Sequence, residues 1–300
     1  MIPSRIMVAQ IKHGEILSGS SRGRTRILCI AGPTGSGKSS RAVDEALARN
    51  GEIISVDSRQ VYRGLDIGTE KILAKEMGGI PHYLIDIRDP EGSYSAGDFV
   101  ADATRLIQEI AAREKLPILA GGTHFYFDAL LRGLPLGIGE NPELRERLAE
   151  LSTAELFALV QERDPRRAAE LDPKNRRRLI RALEIIEAKG KVPVRSSMDS
   201  GSLFRVKWIV IDPPGEELRK KIDARLANAF ERGLVDEVRR VRERVGDARL
   251  NELGLEYKII GEYLRGERTE RSLLPALSAK LWQYARRQKA WLRKLGHQTS

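Results

Sequence analysis

The sequence has little cysteine, few aromatic residues and no long apolar run. Cys29 is the single cysteine among 300 residues, which excludes an internal disulfide or a cysteine-based zinc site and favours a reducing compartment. No apolar run approaches the roughly 20 residues needed to cross a bilayer, so we expect no membrane span. The four histidines show no spacing typical of metal ligands. We therefore expect a cytoplasmic protein, and we also expect it to be a monomer.

Positive charge is in surplus. The chain has 52 basic and 42 acidic residues, a formal net charge of +10 and a pI of about 9.8. A polyanionic partner such as nucleic acid fits this surplus, and so does a solvated basic surface. Residues 1–25 are basic and lack the apolar core of a secretory signal. We expect them to form a disordered N-terminal extension or to result from an early start codon, with an organelle transit peptide as the lesser alternative.

A complete phosphate-binding loop follows the apolar run 27–31. Its sequence, GPTGSGKS, lets backbone N–H groups converge on phosphate oxygens, and a helix is predicted behind it over 41–49. Lys38 adds positive charge, and Ser39 offers a hydroxyl to a Mg²⁺ cofactor. We expect a diphosphate, or a triphosphate such as ATP, to bind at Gly32, Pro33, Thr34, Gly35, Ser36, Gly37, Lys38 and Ser39, with Ser39 as a metal ligand.

Strand and helix patterns alternate around this loop, which is typical of an α/β fold of the P-loop NTPase type, a parallel sheet with helices on both faces. The charged, nearly strand-free stretch 137–199 predicts an inserted all-helical subdomain, and 26–136 with 200–300 predict the catalytic core. The predicted strands are 27–31, 52–56, 82–87, 116–120 and 206–211, and further helices are predicted at 95–114, 216–232, 235–244, 257–264 and 272–295.

Two polar residues stand where predicted strands end, which is where ligands collect in such sheets. Asp57 at that place is suited to hold Mg²⁺, to act as a general base or to cap a turn. Thr123, which follows two glycines, is suited to line the same edge or to cap the next helix. Position alone leaves these alternatives open.

Basic residues cluster in two places. Residues 174–181, KNRRRLIR, include five cationic side chains and no acidic one. On a helix Arg177 and Arg181 share a face, which suits phosphate contacts, although a solvated face is the usual explanation for such a run. A second cluster lies at 286–289, with Arg293 and Lys294. Together the two clusters are suited to hold one bent polyanion.

These motifs together closely resemble the tRNA dimethylallyltransferases, also called tRNA isopentenyltransferases, over about residues 26–295. The decisive stretch is 57–69, DSRQVYRGLDIGT, which ordinary phosphate-loop kinases lack. The C-terminal zinc finger of eukaryotic relatives is absent from the sequence, which indicates a bacterial-type enzyme. The other stretches that carry the resemblance are the loop at 32–39 and residues 94–96, 121–123, 141–145 and 177–184.

The resemblance implies transfer of a dimethylallyl group from dimethylallyl diphosphate to the exocyclic N6 of the adenine 3′ to the tRNA anticodon. By the same resemblance, pyrophosphate would leave and no nucleoside triphosphate would be consumed. Asp57 would be the catalytic base, Thr123 a catalytic hydrogen-bonding partner and Arg225 a ligand of the diphosphate. The adenine would be extruded from the anticodon stem-loop. The implied tRNA contacts are Asp57, Ser58, Arg59, Gln60, Thr123, Arg145, Arg177, Arg178, Leu179, Ile180 and Arg181.

Residues 251–256 also match family positions that hold tRNA, but the chain departs from the common pattern at 254–258, GLEYK. Two other functions remain open. A small-molecule kinase using ATP on the same loop would turn over ATP and would leave both basic clusters unexplained. A nucleotide-switched RNA-binding protein would keep its function when Asp57 is replaced by alanine.

Overall fold

The computed structural model describes residues 6–7, 24–133, 138–193 and 203–298. The chain divides into two compact units, the first comprising Met1–Leu131 and Ser202–Ser300 and the second Arg132–Gly201. The sequence placed the insertion at 137–199, within the second unit. No helix in the described ranges is both long and apolar enough to span a membrane.

A six-stranded sheet organises the first unit, in the order β1-β6-β2-β5-β3-β4. Strands β2 to β6 pair in parallel, and β1 pairs antiparallel with β6. The predicted parallel α/β sheet is therefore confirmed. The strands are β1 (Ile6–Met7), β2 (Thr25–Ala31), β3 (Gly51–Val56), β4 (His82–Tyr83), β5 (Leu116–Gly121) and β6 (Phe204–Ile211).

Both faces of the sheet are buried, as β2 shows. Cys29, on one face, belongs to the larger core cluster, whereas Leu28 and Ile30 point the other way and pack with Ala42 and Ala46. A strand buried on two faces reads as a continuous apolar run, which is why it was recognisable in the sequence. Helices of the first unit are α1 (Lys38–Arg49), α2 (Ala96–Ala112), α3 (His124–Arg132), α8 (Gly215–Glu231), α9 (Leu234–Leu250), α10 (Leu255–Leu264) and α11 (Leu273–Gln298).

The structure corrects two local predictions. The strand predicted at 82–87 is only two residues long, because Leu84 and Asp86 have φ angles of 62° and 54°, which no β-strand accommodates. Of the predicted disordered extension 1–25, most residues lie outside the described ranges, but 6–7 form β1 and Thr25 begins β2. At these positions the prediction of disorder is corrected.

The described part of the second unit contains four helices, α4 (Pro142–Ala149), α5 (Thr153–Arg163), α6 (Pro165–Glu170) and α7 (Arg176–Lys189). They enclose an apolar cluster of their own, with Leu156, Val160 and Leu179 fully buried. Each helix begins at a side chain that accepts a backbone N–H bond, which satisfies donors that the helix itself leaves unpaired. These capping residues are Asn141, Ser152, Asp164 and Asn175.

Candidate active site

A pocket with a cavity volume of about 560 Å³ opens at the carboxyl ends of β2, β3 and β5. Segments 34–40, 55–60, 68–73, 120–123, 253–257 and 281–288 contribute to its walls. Gly32, Pro33 and Ser36 of the loop are buried behind the wall. The sequence-predicted residues that line the pocket are Thr34, Gly35, Gly37, Lys38, Ser39, Asp57, Ser58, Arg59, Gln60, Thr123 and Arg225.

The phosphate loop closes on itself through a bond from Ser36 N–H to the Pro33 carbonyl, 3.2 Å. Gly35 and Gly37 have φ angles of 76° and 84°, a conformation that favours glycine. Helix α1 begins at Lys38, three residues before the predicted start, so its N-terminal N–H groups point to the loop. Burial lowers the pKa of Lys38 to about 8, and the nearby Asp57 carboxylate opposes this shift. An anion bound in this loop would raise the pKa of Lys38 again and so stabilise its charged form.

Gln288 of α11 joins the phosphate loop to the loop after β5. Its Oε1 accepts from Thr34 N–H at 3.0 Å, and its Nε2 donates to the Gly122 carbonyl at 2.8 Å. The side chain is 3% exposed. Sequence reasoning missed this residue, although it is the polar member of an otherwise apolar stripe at helical spacing with Leu281, Ala285 and Leu292. A buried polar residue in such a stripe is the signal that would have identified it.

Arg225 reaches the loop as predicted from the resemblance. Its guanidinium donates to Thr34 Oγ1 and forms an ion pair with the carboxylate of Glu70. Burial raises the pKa of Glu70, whereas Arg225 and Lys38 oppose the increase. Glu70, which sequence reasoning also missed, has a left-handed φ of 48°. Lys38 and Arg225 thus place two cationic groups at the phosphate loop, and Arg225 is paired with a carboxylate.

Asp57 and Thr123 lie on adjacent loops, because β3 and β5 are neighbours in the sheet. Thr123 Oγ1 accepts from the N–H of Ser58 at 3.1 Å. Asp57 Oδ1 accepts from the N–H groups of Arg59 and Gln60, at 2.8 and 3.2 Å. Asp57 is therefore a turn former, and its position in the pocket wall is compatible with a catalytic role as well. Thr123 likewise links two loops while it faces the pocket.

The pocket wall also contains the stretch in which the chain departs from the family pattern. Glu256, at the start of α10, lines the pocket, and burial raises its pKa. Tyr284 of α11 also lines it, and burial raises its pKa to about 12. Both groups are biased toward their neutral forms, so this wall is less polar than its sequence implies.

In the second unit, two predicted tRNA contacts serve a structural purpose. Arg145 Nε and Arg181 Nη1 donate to the buried carboxylate of Glu184, at 2.7 and 2.9 Å. Burial alone would raise the pKa of Glu184, but these hydrogen bonds and the N–H of Asn141 lower it. Arg176, in the same basic run, donates to the carbonyls of Leu148, Ala149 and Leu151 at the end of α4.

Leu179 needs a correction as a predicted tRNA contact. Its side chain is fully buried in the apolar cluster of this unit, where it packs and cannot reach a ligand at the surface. Ile180 is partly buried against the same cluster. Arg177 and Arg178 are exposed in the first turn of α7, where positive charge opposes the helix dipole. A locally unfavourable placement of this kind is typical of residues retained for function.

Comparisons with known proteins identify the family. The IPP transferase family model matches residues 60–295. The chain is 40% identical to the tRNA dimethylallyltransferase of Thermomicrobium roseum over 278 residues, 91% of this chain and 84% of that one. It is 41% identical over 277 residues to that of a Roseiflexus species, covering 90% of each.

Two solved structures agree with this result. The full-length tRNA isopentenylpyrophosphate transferase of Bacillus halodurans aligns with a TM-score of 0.67 at 38% identity, covering 90% of this chain and 87% of that one. A eukaryotic dimethylallyltransferase acting on tRNA aligns with a TM-score of 0.78 at 27% identity, covering 89% and 70%. The chain, with its phosphate loop, Asp57 and Thr123 around one pocket, belongs to the IPP transferase family, the tRNA dimethylallyltransferases.

Proposed function

We propose that the protein transfers a dimethylallyl group from dimethylallyl diphosphate to the exocyclic N6 of the adenine 3′ to the anticodon of tRNA, releasing pyrophosphate. The observation that carries the proposal is that the phosphate loop, Arg225, Asp57 and Thr123 open onto one pocket. Curated relatives about 40% identical over 90% of the chain are tRNA dimethylallyltransferases. These findings support prenyl transfer and not the kinase alternative.

The loop is suited to a leaving pyrophosphate. Negative charge develops on pyrophosphate as its bond to the prenyl carbon breaks, and preorganised donors stabilise that charge most where it appears. The donors are the loop N–H groups, Lys38 and Arg225. Because the pKa of Lys38 is lowered to about 8, the incoming anion also stabilises the charged form of this side chain.

Mg²⁺ is the cofactor we propose for this pocket, with Ser39 as its protein ligand. The described residues contain no cluster of three or more His, Cys, Asp or Glu side chains able to hold a metal. A single hydroxyl ligand, Ser39 in the pocket wall, fits Mg²⁺, which keeps several waters and is commonly bound through substrate phosphates with few protein ligands. When bound, the ion would supply additional positive charge to the departing pyrophosphate.

In the proposal, Asp57 accepts the proton from the attacking amine. Its Oδ1 holds the turn at 59–60, at 2.8 and 3.2 Å, which fixes the carboxylate in the pocket wall. In the proposed step the N6–carbon bond forms, the carbon–oxygen bond to pyrophosphate breaks, and Asp57 takes the proton. Thr123, fixed by Ser58 N–H, would hydrogen-bond within the same channel.

The tRNA contacts are proposals for each unit separately. In the first unit, Ser58, Arg59 and Gln60 stand beside Asp57 and would contact an adenine extruded from its stack. In the second unit, the exposed Arg177 and Arg178 are suited to phosphate contacts.

A mass measurement tests the proposal. Unmodified tRNA is incubated with the purified protein, Mg²⁺ and dimethylallyl diphosphate, with ATP in a parallel tube. We expect a five-carbon gain on one adenosine that depends on the isoprenoid donor and is indifferent to ATP. No gain across a mixed tRNA pool, together with ATP hydrolysis, would instead favour the kinase.

A further inference from the structure

A buried carboxylate in the first unit gathers a row of backbone donors. Glu237 of α9 is 3% exposed. Its Oε2 accepts from the N–H groups of Asp66 and Ile67, at 3.0 and 2.7 Å, and its Oε1 accepts from the N–H of Gly68 at 2.9 Å. The hydroxyl of Tyr257 donates to Oε1 at 2.7 Å. Four donors thus converge on one side chain. Three are backbone N–H groups about 170 residues away in the chain, and the fourth is a hydroxyl 20 residues away.

Only a carboxylate satisfies this arrangement. Its two oxygens accept four bonds, whereas a glutamine of the same shape replaces one oxygen with a donor. Burial and the charge of Glu237 raise the pKa of Tyr257 well above its usual value, so that hydroxyl stays a donor. The packing is close as well, because a Cβ on Gly68 would lie 2.9 Å from Tyr257 Oη.

Glu237 holds segment 66–70, which contacts both the residues around Asp57 and those at the phosphate loop. Gln60, next to the Asp57 turn, donates from Nε2 to the carbonyls of Thr69 and Glu70, each at 3.2 Å. The carboxylate of Glu70 pairs with Arg225, which in turn donates to Thr34 of the phosphate loop. The segment also lines the pocket from Gly68 to Leu73. One buried side chain therefore fixes a wall that contacts the catalytic turn on one side and the diphosphate cradle on the other.

We infer that Glu237 is a positioning residue for the reaction, which acts by holding segment 66–70 against the pocket and thereby placing Gln60 and Arg225. The inference rests on the proposed function for the identity of the substrates. The role of Glu237 in holding segment 66–70 does not depend on that function. Glu237 itself touches no reacting atom, since its carboxylate is saturated by the chain.

The test compares Glu237→Gln with Glu52→Gln. Glu52 is a matched control: it is also a buried carboxylate of the first unit, and it accepts from Tyr83, Arg113 and Lys115 at 2.7, 2.6 and 2.7 Å. It lies at the start of β3, at the opposite end of that strand from Asp57.

Two measurements are made on each folded variant, the Kd for inorganic pyrophosphate with Mg²⁺ and the exchange rates of the amides at 66–68. For Glu237→Gln we expect pyrophosphate to bind about tenfold more weakly, because at least one amide of the segment loses its acceptor. We also expect faster exchange confined to that segment. Glu52→Gln should stay within about twofold of the parent protein in both measurements. If the two variants behave alike, or if amides 66–68 exchange at unchanged rates, the inference is overturned.

Tyr257→Phe provides a second variant if Glu237→Gln does not fold. It removes one donor and leaves the three backbone bonds, so we expect a smaller increase in exchange at Gly68 and a smaller loss of pyrophosphate affinity. Unchanged exchange at Gly68 in this variant would contradict the inference. Transfer kinetics separate the two proposals. Parent protein that transfers no dimethylallyl group contradicts the proposed function alone, whereas Glu237→Gln with the parent's kcat and donor KM contradicts the positioning role alone.

Discussion

Replacing Gln288 with leucine should remove the hydrogen bonds that connect the phosphate loop to the loop after β5. The side chain bridges Thr34 N–H and the Gly122 carbonyl, at 3.0 and 2.8 Å. Leucine keeps most of the volume at this position of α11 and removes both bonds. The change therefore isolates the bridge from the packing around it.

The expected loss of free energy depends on how well water reaches the Thr34 N–H and the Gly122 carbonyl once they have lost Gln288. A buried polar group that loses its partner costs about 1–3 kcal/mol. Thr34 and Gly122 are only half-buried, so water can replace part of the lost bonding, and we take about 1 kcal/mol for each. The total is about 2 kcal/mol, which corresponds to roughly a 30-fold change if it all appears in ligand binding.

Urea unfolding measures how much of this energy is lost from stability. Calorimetric titration with pyrophosphate and Mg²⁺ measures how much is lost from ligand binding. Gln283→Leu is the matched control, because Gln283 lies on the same helix and is exposed. We expect Gln288→Leu to lose about 2 kcal/mol in stability, in pyrophosphate affinity or divided between them, and the control to change by less than about 0.5 kcal/mol. Equal values for the two variants in both assays would refute the assignment of Gln288 as a structural bridge.

Three further predictions concern single side chains. Asp57→Ala should lower the rate of transfer by about 10²–10⁴-fold, the usual contribution of a general base, and leave tRNA affinity at matched salt largely intact; a comparable loss of tRNA affinity would contradict the catalytic role. Lys38 must be protonated to attract the diphosphate, and its pKa in the free protein is lowered to about 8. The ratio of the pyrophosphate Kd of the parent protein to that of Lys38→Arg, whose side chain stays charged, cancels the ionisation of pyrophosphate itself. This ratio should be nearly constant below pH 8 and rise up to about tenfold per unit above it; parallel pH profiles would contradict this. Leu179→Ala should destabilise the second unit by about 2–5 kcal/mol in urea unfolding, since Leu179 is fully buried, whereas the exposed Arg177→Ala should change stability by less than about 0.5 kcal/mol; a similar loss in both would argue against the correction made for Leu179.

Much of the fold was predictable because its signals are local. Strand β2 and its loop were found from a continuous apolar run followed by glycines, and helix α2 from apolar residues at helical spacing behind Ser95, which caps it. The strand predicted to continue past Tyr83 failed for a reason that composition does not reveal. Leu84 and Asp86 adopt left-handed conformations, which are uncommon for leucine and which an apolar, strand-like run does not reveal.

Site residues with a local signal were likewise predictable, whereas those defined by distant partners were not. Asp57 and Thr123 were predictable because each follows a strand, and the resemblance supplied Arg225. The main-chain partners of Gln288 and Glu237 could not be predicted, because they lie between 166 and 254 residues away and no periodic pattern links such positions. The charge run at 174–181 was informative about composition but not about roles, which include core packing by Leu179 and pairing of Arg181 with Glu184.

The sequence by itself determined the phosphate loop, the alternation of strands and helices, and the family, because each of these is encoded by neighbouring residues. The tertiary structure alone decided the strand order, which sets β5 between β2 and β3 and so brings Thr123 between the phosphate loop and Asp57. It also decided which buried polar groups meet, as Glu237 meets the amides at 66–68. Strand pairing and buried hydrogen bonds join distant segments, and their geometry exists only once the hydrophobic core has packed.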